Sequence, residues 1–308
     1  MNTHAATAGF EAWRAAGRSF AHRGHPIFWQ AGGHGGAGPV LLCIHGFPTA
    51  SWDWHAVWPA LCRDFAQVLA PDMIGFGWSA KPRRYRYSIF DQADLHEALL
   101  RSQGIGRCHV LAHDYGDTVA QELLARHDAR AACGDGSLVI ESVCLLNGGL
   151  FPETHRARTV QKLLQTPLGP LISRLVRKDN FARTFAALFG PHTQPDAQAM
   201  DEFWRLLQHG GGHRLAHKLI HYIPERRANR ARWVGALQNT RVPLRVIDGP
   251  EDPVSGAHMV ERYRQLVPDP DTVLLPGIGH YPQVEDPQGT LRAFGEFQAR
   301  LRGGGLRP

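Results

Sequence analysis

Asp114 stands in the string Ala112-His113-Asp114-Tyr115-Gly116. The apolar run Val110-Leu111-Ala112 leads into it, and helical spacing from Asp117 to Arg126 leads out. A strand that turns sharply into a helix around one polar residue presents that residue as a nucleophile at the sheet edge. The turn is strained, so its flanks must be small, as Ala112 and Gly116 are. An aspartate at the tip attacks carbon directly and leaves an alkyl ester, whereas a serine there leaves an acyl ester. The competing reading is an aspartate that caps the helix starting at Tyr115. The remaining parts of a catalytic set decide between the two.

A nucleophile needs a base, and the base needs an orienting acid. Downstream, the strand Leu244 to Ile247 runs into Asp248-Gly249-Pro250-Glu251-Asp252-Pro253, and the strand Thr272 to Leu275 runs into Gly277-Ile278-Gly279-His280-Tyr281. Asp252 is the expected acid, with Asp248 and Glu251 weaker because they sit closer to the strand. His280 is the expected base, chosen among eighteen histidines because spacing, strand context and chain order agree. The segment His45-Gly46-Phe47-Pro48 follows another apolar run. Its Phe47 N–H, with that of Tyr115, would form a two-donor oxyanion hole. His45, Pro48 and His113 flank these groups and are expected to face the substrate.

Elements that could hold these residues alternate along the chain. Strands are expected at Val40 to Ile44, Gln67 to Ala70, Cys108 to Ala112, Leu138 to Leu146, Pro243 to Ile247 and Thr272 to Leu275. Helices are expected at Trp52 to Cys62, Asp91 to Ser102, Asp117 to Arg126, Gly256 to Leu266 and Pro287 to Leu301. Such alternation implies a mostly parallel sheet with helices on both faces. Between about Gly148 and Gly235 the pattern is helical only, broken by Gly169-Pro170, Gly190-Pro191 and Gly210-Gly211-Gly212. A helical block inserted there would lie over the carboxyl edge of the sheet, where ligands bind in such folds. The expected division is a core of residues 1–147, a helical cap of residues 148–235 and a second core segment of residues 236–308. The tail Gly303-Gly304-Gly305 is expected to be disordered.

Composition narrows the class. The chain has 308 residues, 43% hydrophobic and 20% charged, an ordinary globule with room for a core and an insertion. No stretch approaches the roughly 20 apolar residues of a membrane span, and Met1 to Phe20 shows no secretion signal. Five cysteines without metal spacing (Cys43, Cys62, Cys108, Cys133 and Cys144) suit a reducing compartment, so a cytoplasmic protein is expected. The net charge of +6 is carried mostly by dispersed arginines with no nucleic-acid motif, so no nucleic-acid partner is expected. The densest cluster, Arg226, Arg227, Arg230 and Arg232, reads as a solvated helix face. His213, His217 and His221 recur at helical spacing and could face a metal, but no carboxylate or cysteine completes a site. A solvated or lid-packing face is the expectation.

The set His45-Gly46-Phe47-Pro48, Asp72 to Ser79, His113-Asp114-Tyr115-Gly116, Asp252-Pro253 and Gly279-His280 resembles the α/β-hydrolase fold, in its epoxide hydrolase and haloalkane dehalogenase branch. The likeness runs from about Ile27 to the end. Within that branch, longer strings resemble the mesoderm-specific transcript proteins: Ser51-Trp52-Asp53-Trp54, Tyr87-Ser88-Ile89-Phe90, Asn147-Gly148-Gly149, Phe151 to Arg156, and Arg232 to Leu237. The resemblance implies a hydrolase without cofactor or metal, acting on a small apolar substrate. Epoxide hydrolases use two lid tyrosines to protonate the epoxide oxygen. Tyr222 matches one by its place before Trp233, itself expected at the substrate, and His192 falls near the second. Aromatic packing on the lid is the alternative for Tyr222. Dehalogenases commonly carry a tryptophan after the nucleophile and an asparagine at the position of Phe47, so halide chemistry is the second reading. A non-catalytic binding member is the third. Asp117 occupies a position usually small in these enzymes. If it is buried beside Asp114, like charge would raise one of the two pKa values.

Overall fold

The computed structural model describes residues 3–303. Eight strands form one sheet in the order β1-β2-β4-β3-β5-β6-β7-β8. They are β1 (Arg18–His22), β2 (His25–Gly32), β3 (Val40–Ile44), β4 (Gln67–Pro71), β5 (Arg107–His113), β6 (Val139–Leu146), β7 (Leu244–Asp248) and β8 (Thr272–Leu274). From β4 to β8 every neighbouring pair is parallel, while β1 and β2 pair antiparallel at one edge. The central strands read as apolar runs because helices cover both faces. Leu41, Leu42, Cys43 and Ile44 of β3 are all buried.

The core helices are α1 (Thr3–Ala16), α2 (Trp58–Asp64), α3 (Ile89–Ser102) and α4 (Tyr115–Ala132). The chain then runs through α5 (Thr159–Leu164), α6 (Gly169–Leu175), α7 (Lys178–Ala186), α8 (Ala197–Gln208), α9 (Ala216–Leu219), α10 (Tyr222–Ala228) and α11 (Arg230–Asn239) before β7. The last three are α12 (Ala257–Leu266), α13 (Pro282–Glu285) and α14 (Pro287–Arg302). Between β6 and β7 there is no strand among the described residues.

The antiparallel hairpin β1–β2 is absent from the strands expected on sequence. Its two-residue turn, Arg23-Gly24, has φ of 49° and 78°. That geometry normally advertises itself as Asn-Gly or Asp-Gly, and here an arginine stands first, paired with Asp91 and Asp94. The single helix expected over Trp52 to Cys62 is two pieces, a 3₁₀ turn at Ser51–Trp54 and then α2. Pro59 has no N–H to continue an upstream helix and suits the first turn of a new one. The expected boundary at residue 235 falls inside α11. That helix packs on α4 through Gln121 Nε2, which donates to the Trp233 carbonyl at 3.2 Å. Beyond Gly303 the glycine tail lies outside the described residues.

The inserted helices have a core of their own. Phe181, Phe185, Phe189, Phe203 and Trp204 cluster with Tyr281 from the sheet side, which fastens the insertion beside His280. Glu285 reinforces that junction. Its carboxylate accepts from Gly190 N (2.7 Å) and Thr193 Oγ1 (2.5 Å) in the insertion and from Gly279 N and Tyr281 N (2.9 Å each) around His280.

Candidate active site

Parallel strands deliver their loops to one edge. There β3 ends at the Phe47 loop, β5 at Asp114, β6 at Asn147, β7 at the loop to Asp252 and β8 at the loop to His280. Asp114 has φ 49° and ψ −106°, a conformation few L-residues adopt, and its side chain makes no cap bond to α4. The cap reading therefore fails on geometry. The elbow packs against β3 so closely that a Cβ at Gly116 would lie 2.4 Å from the Ile44 carbonyl oxygen. Only glycine fits, as the small-flank argument requires.

The Asp114 side chain instead turns to the opposite loop. Phe47 N donates to Asp114 Oδ2 at 3.0 Å. His280 Nε2 stands 3.9 Å from the same oxygen, too far for a direct hydrogen bond. Its Nδ1 lies 2.7 Å from Asp252 Oδ2. An ionised carboxylate only accepts, so Nδ1 carries the proton and Nε2 faces Asp114. Asp252 is held in turn by Val254 N (2.8 Å), Ser255 Oγ (2.8 Å) and Asn147 Nδ2 (3.2 Å). Burial by itself would raise the Asp114 carboxyl, but the His280 imidazole and the Arg226 guanidinium hold it well below the usual carboxylate range. Burial would lower His280, and the flanking Asp252 and Asp114 carboxylates push it the other way, well above its ordinary value. Asp248, the weaker acid candidate, is buried at the end of β7 with neither oxygen partnered, and Glu251 is exposed.

A cavity of about 900 Å³ opens over this group, lined by Asp114, His280, Phe47 and Pro48 from the sheet edge and by residues of the insertion. A larger groove of about 1310 Å³ lies at the opposite end of the sheet, among Arg107, Glu141 and Arg241, and contains none of these groups. The smaller one is where chemistry is possible.

Several expected substrate residues lie elsewhere. His45 spends both ring nitrogens on backbone: Nδ1 meets Gly46 O at 2.8 Å and Nε2 accepts from Met73 N at 2.9 Å. Burial lowers its pKa to about 3, so it braces the Phe47 loop as a neutral ring. His113 Nε2 donates to the His280 carbonyl at 2.7 Å and is likewise buried, against His280. Trp233 Nε1 donates to Glu122 Oε2 at 2.9 Å and anchors α11 on α4. His192 is exposed on the loop after α7 and away from the cavity wall. Tyr222 is buried beside the elbow. Its ring meets Tyr115 edge-on at 4.9 Å and Phe47 at 6.0 Å; Phe47 lines the cavity, and Tyr222 stands directly beside it without lining the cavity itself. Tyr115 is the buried first residue of α4, its ring also against Phe76. Burial, then the charge of Asp114, raises the Tyr222 pKa and keeps the phenol protonated.

Of the arginine cluster, Arg227 and Arg232 are exposed and Arg230 partly so, as a solvated face requires, and only Arg226 departs from it. Arg226 is 3% exposed. Its Nη2 donates to the Asp114 carbonyl (3.2 Å), its Nε to Thr118 Oγ1 (2.6 Å), and its guanidinium stacks on Tyr222 at 4.5 Å. Arg230 pairs with Glu153, and Arg232 with Glu122. Their spacing could not distinguish a wet face from one turned onto the core. Asn147, Ser255, Glu285 and Arg226 are the supporting residues that sequence reasoning missed. The only hint was that Asn147 and Arg226 sit in or beside the strings that carried the resemblance. The three histidines do not share a helix: His213 lies in a 3₁₀ segment broken at Gly210 and Gly211, His217 in α9, and His221 before α10. No metal-binding group of three forms among the described residues. His213 instead lines the cavity, with its Nδ1 unpartnered.

Asp117 is fully buried with neither oxygen partnered, and burial, then the Asp114 charge, raises its pKa well above 3.8. The like charge of Asp114 thus adds to burial in favouring the protonated form of Asp117. Because the folded pKa exceeds the unfolded one, its contribution to stability is complete below about pH 4 and is lost as pH rises through the folded value. Asp117→Asn, isosteric with the neutral acid, should match wild type in thermal unfolding near pH 4 and exceed it increasingly toward pH 8. A variant that unfolds earlier at pH 8 than at pH 4, relative to wild type, would contradict a raised Asp117 pKa.

Residues 39–287 match the family model for the alpha/beta hydrolase fold. The mesoderm-specific transcript homolog protein of Bos taurus is 42% identical over 92% of this chain and 86% of its own length. Among solved structures, a haloalkane dehalogenase DbeA-M1 loop variant from Bradyrhizobium elkanii superposes with TM-score 0.76 at 20% identity, covering 93% of this chain and 97% of that one. The epoxide hydrolase CorEH does so with TM-score 0.74 at 20% identity, covering 93% and 99%. The chain belongs to the α/β-hydrolase family and, within it, groups with the mesoderm-specific transcript proteins.

Proposed function

We propose that this hydrolase works through an alkyl-enzyme ester on Asp114 and opens an apolar epoxide to a diol. The observation that carries the reading is a carboxylate at the elbow, gripped by the Phe47 N–H at 3.0 Å and faced by a histidine that is itself paired to a carboxylate. Asp114 attacks an epoxide carbon, the ring C–O bond breaks, and Tyr222 protonates the departing oxygen. His280 then takes a proton from water, whose oxygen attacks the ester carbonyl. The Phe47 and Tyr115 N–H groups hold the oxyanion until the acyl C–O bond of the ester breaks; the departing alkoxide takes the proton from His280 to complete the diol, and the carboxyl proton left on Asp114 returns to Tyr222. Esterification removes one of the two negative charges that hold the His280 proton, so the imidazole becomes a better base when a base is needed. The inserted helices, which we delimit as residues 148–239 so as to keep α11 whole, serve as the lid.

Dehalogenation is the second reading. A departing halide needs side-chain N–H donors; Asn180 and Gln161 are among the residues that line the cavity, but Phe47 and Tyr115, the residues at the nucleophile, carry none. Styrene-type epoxides assayed beside bromoalkanes decide between them. Diol formation from the epoxide is expected, and turnover of the bromoalkane alone would replace this proposal. Tyr222→Phe should lower kcat on the epoxide roughly 10²-fold, the scale of losing a general acid. Undiminished turnover would leave Tyr222 a packing residue.

A further inference from the structure

The exposed large apolar side chains are not scattered. Val160, Leu163, Leu168, Leu171 and Leu175 all belong to α5, α6 and the turn joining them. Leu168, Leu171 and Leu175 are 62%, 55% and 61% exposed. Single exposed leucines are ordinary, whereas a contiguous patch marks a binding surface. The charge of the same segment is equally uneven. Residues 156–183 hold seven basic side chains and one acidic, a surplus equal to the +6 of the whole chain, so the remainder is balanced. Arg156, Arg158, Lys162, Arg174 and Arg177 are exposed and form no ion pair among the described residues.

We propose that α5 and α6 dock on an anionic lipid bilayer and open the cavity toward it. Leucines that enter the acyl boundary and a rim of cations that meets the headgroups are the two contributions such a surface requires. A second copy of this chain would bring like charge against like. An acidic protein would satisfy the cations, but it gives no reason for the patch to run into the cavity. Val160 and Leu175 belong to both, with Leu164 and Ile172 continuing inward. An apolar molecule dissolved in the bilayer thus meets apolar side chains that lead from the patch into the cavity that holds Asp114. The docking itself does not depend on which bond the site breaks.

The full chain is sedimented with vesicles of phosphatidylcholine containing phosphatidylserine, and with phosphatidylcholine alone. Binding to the anionic vesicles, weakened by salt, is expected. Leu163→Ser/Leu168→Ser/Leu171→Ser should weaken it at least about tenfold. Lys162→Glu/Arg174→Glu should do so by about 20-fold or more, since each cation near such a surface contributes about fivefold. None of these five residues lines the cavity, and thermal unfolding of both variants should match wild type. No binding by the wild type, or equal binding by the variants, overturns the proposal. So does a concentration-dependent dimer that the serine variant disperses without vesicle binding, because it assigns the face to a second copy. A protein inactive on epoxides that still binds vesicles in this pattern would sink the reaction and leave the docking intact.

Discussion

Asp114→Ala is expected to abolish turnover, with kcat falling by about 10⁴-fold or more, the scale seen when a member of a catalytic set is removed. In this site no other carboxylate can take over. Asp252 is occupied by His280, Val254, Ser255 and Asn147. Asp248 and Asp117 are buried, and burial raises the pKa of each well above the ordinary carboxylate value, which disfavours the ionised form an attack requires. The substitution also removes a charge that supports protonated His280, so the base should titrate lower in the variant. Intact-mass analysis with excess substrate should show no adduct. Substantial turnover in Asp114→Ala would mean that the carboxylate is not the nucleophile, and the elbow would then serve another purpose.

His280→Gln should separate the two halves of the reaction. Alkylation needs the carboxylate and the Phe47 N–H, both retained. Hydrolysis of the ester needs a base opposite Asp114, and glutamine cannot accept a proton at neutral pH. The variant should therefore give one burst of product-equivalent chemistry and then stall, with the protein heavier by the mass of one substrate. The adduct should map to the peptide containing Asp114. Normal steady-state turnover in His280→Gln would remove the covalent mechanism altogether. Gln is the test of choice because its amide can occupy the position of the ring and donate to Asp252, which would otherwise be left with an empty partner in a buried setting.

The centre of this site was legible in the chain because its parts depend on local sequence. A strand-turn-helix with small flanks fixes where Asp114 points. Parallel strands put the loops bearing Asp252 and His280 on the same edge whatever their exact length. The choice of Asp252 over Asp248 rested on distance past the strand end, and in the fold Asp248 points into the interior while Asp252 meets His280. Asp117 was expected to matter only if buried, and burial is the largest cause of its raised pKa.

The sequence by itself determined the fold class and the chain order of Asp114, Asp252 and His280, the candidates for attack, orientation and activation. Those properties live in short-range patterns of apolar residues, glycines and strand ends. Only the tertiary structure decided which polar side chains are spent on the protein itself. His45, His113 and Trp233 read as substrate contacts, yet each is consumed by a backbone carbonyl, an amide or Glu122. Arg226 read as a solvated charge, yet it lies under the elbow because α10 is turned onto α4. His213 lines the cavity and His192 does not, and His213 lies just past the break at Gly210 and Gly211, which helical spacing could not foresee. Periodicity reports a helix and its faces, but the face that meets the core is set by packing between elements far apart in the chain, and no local pattern encodes that choice.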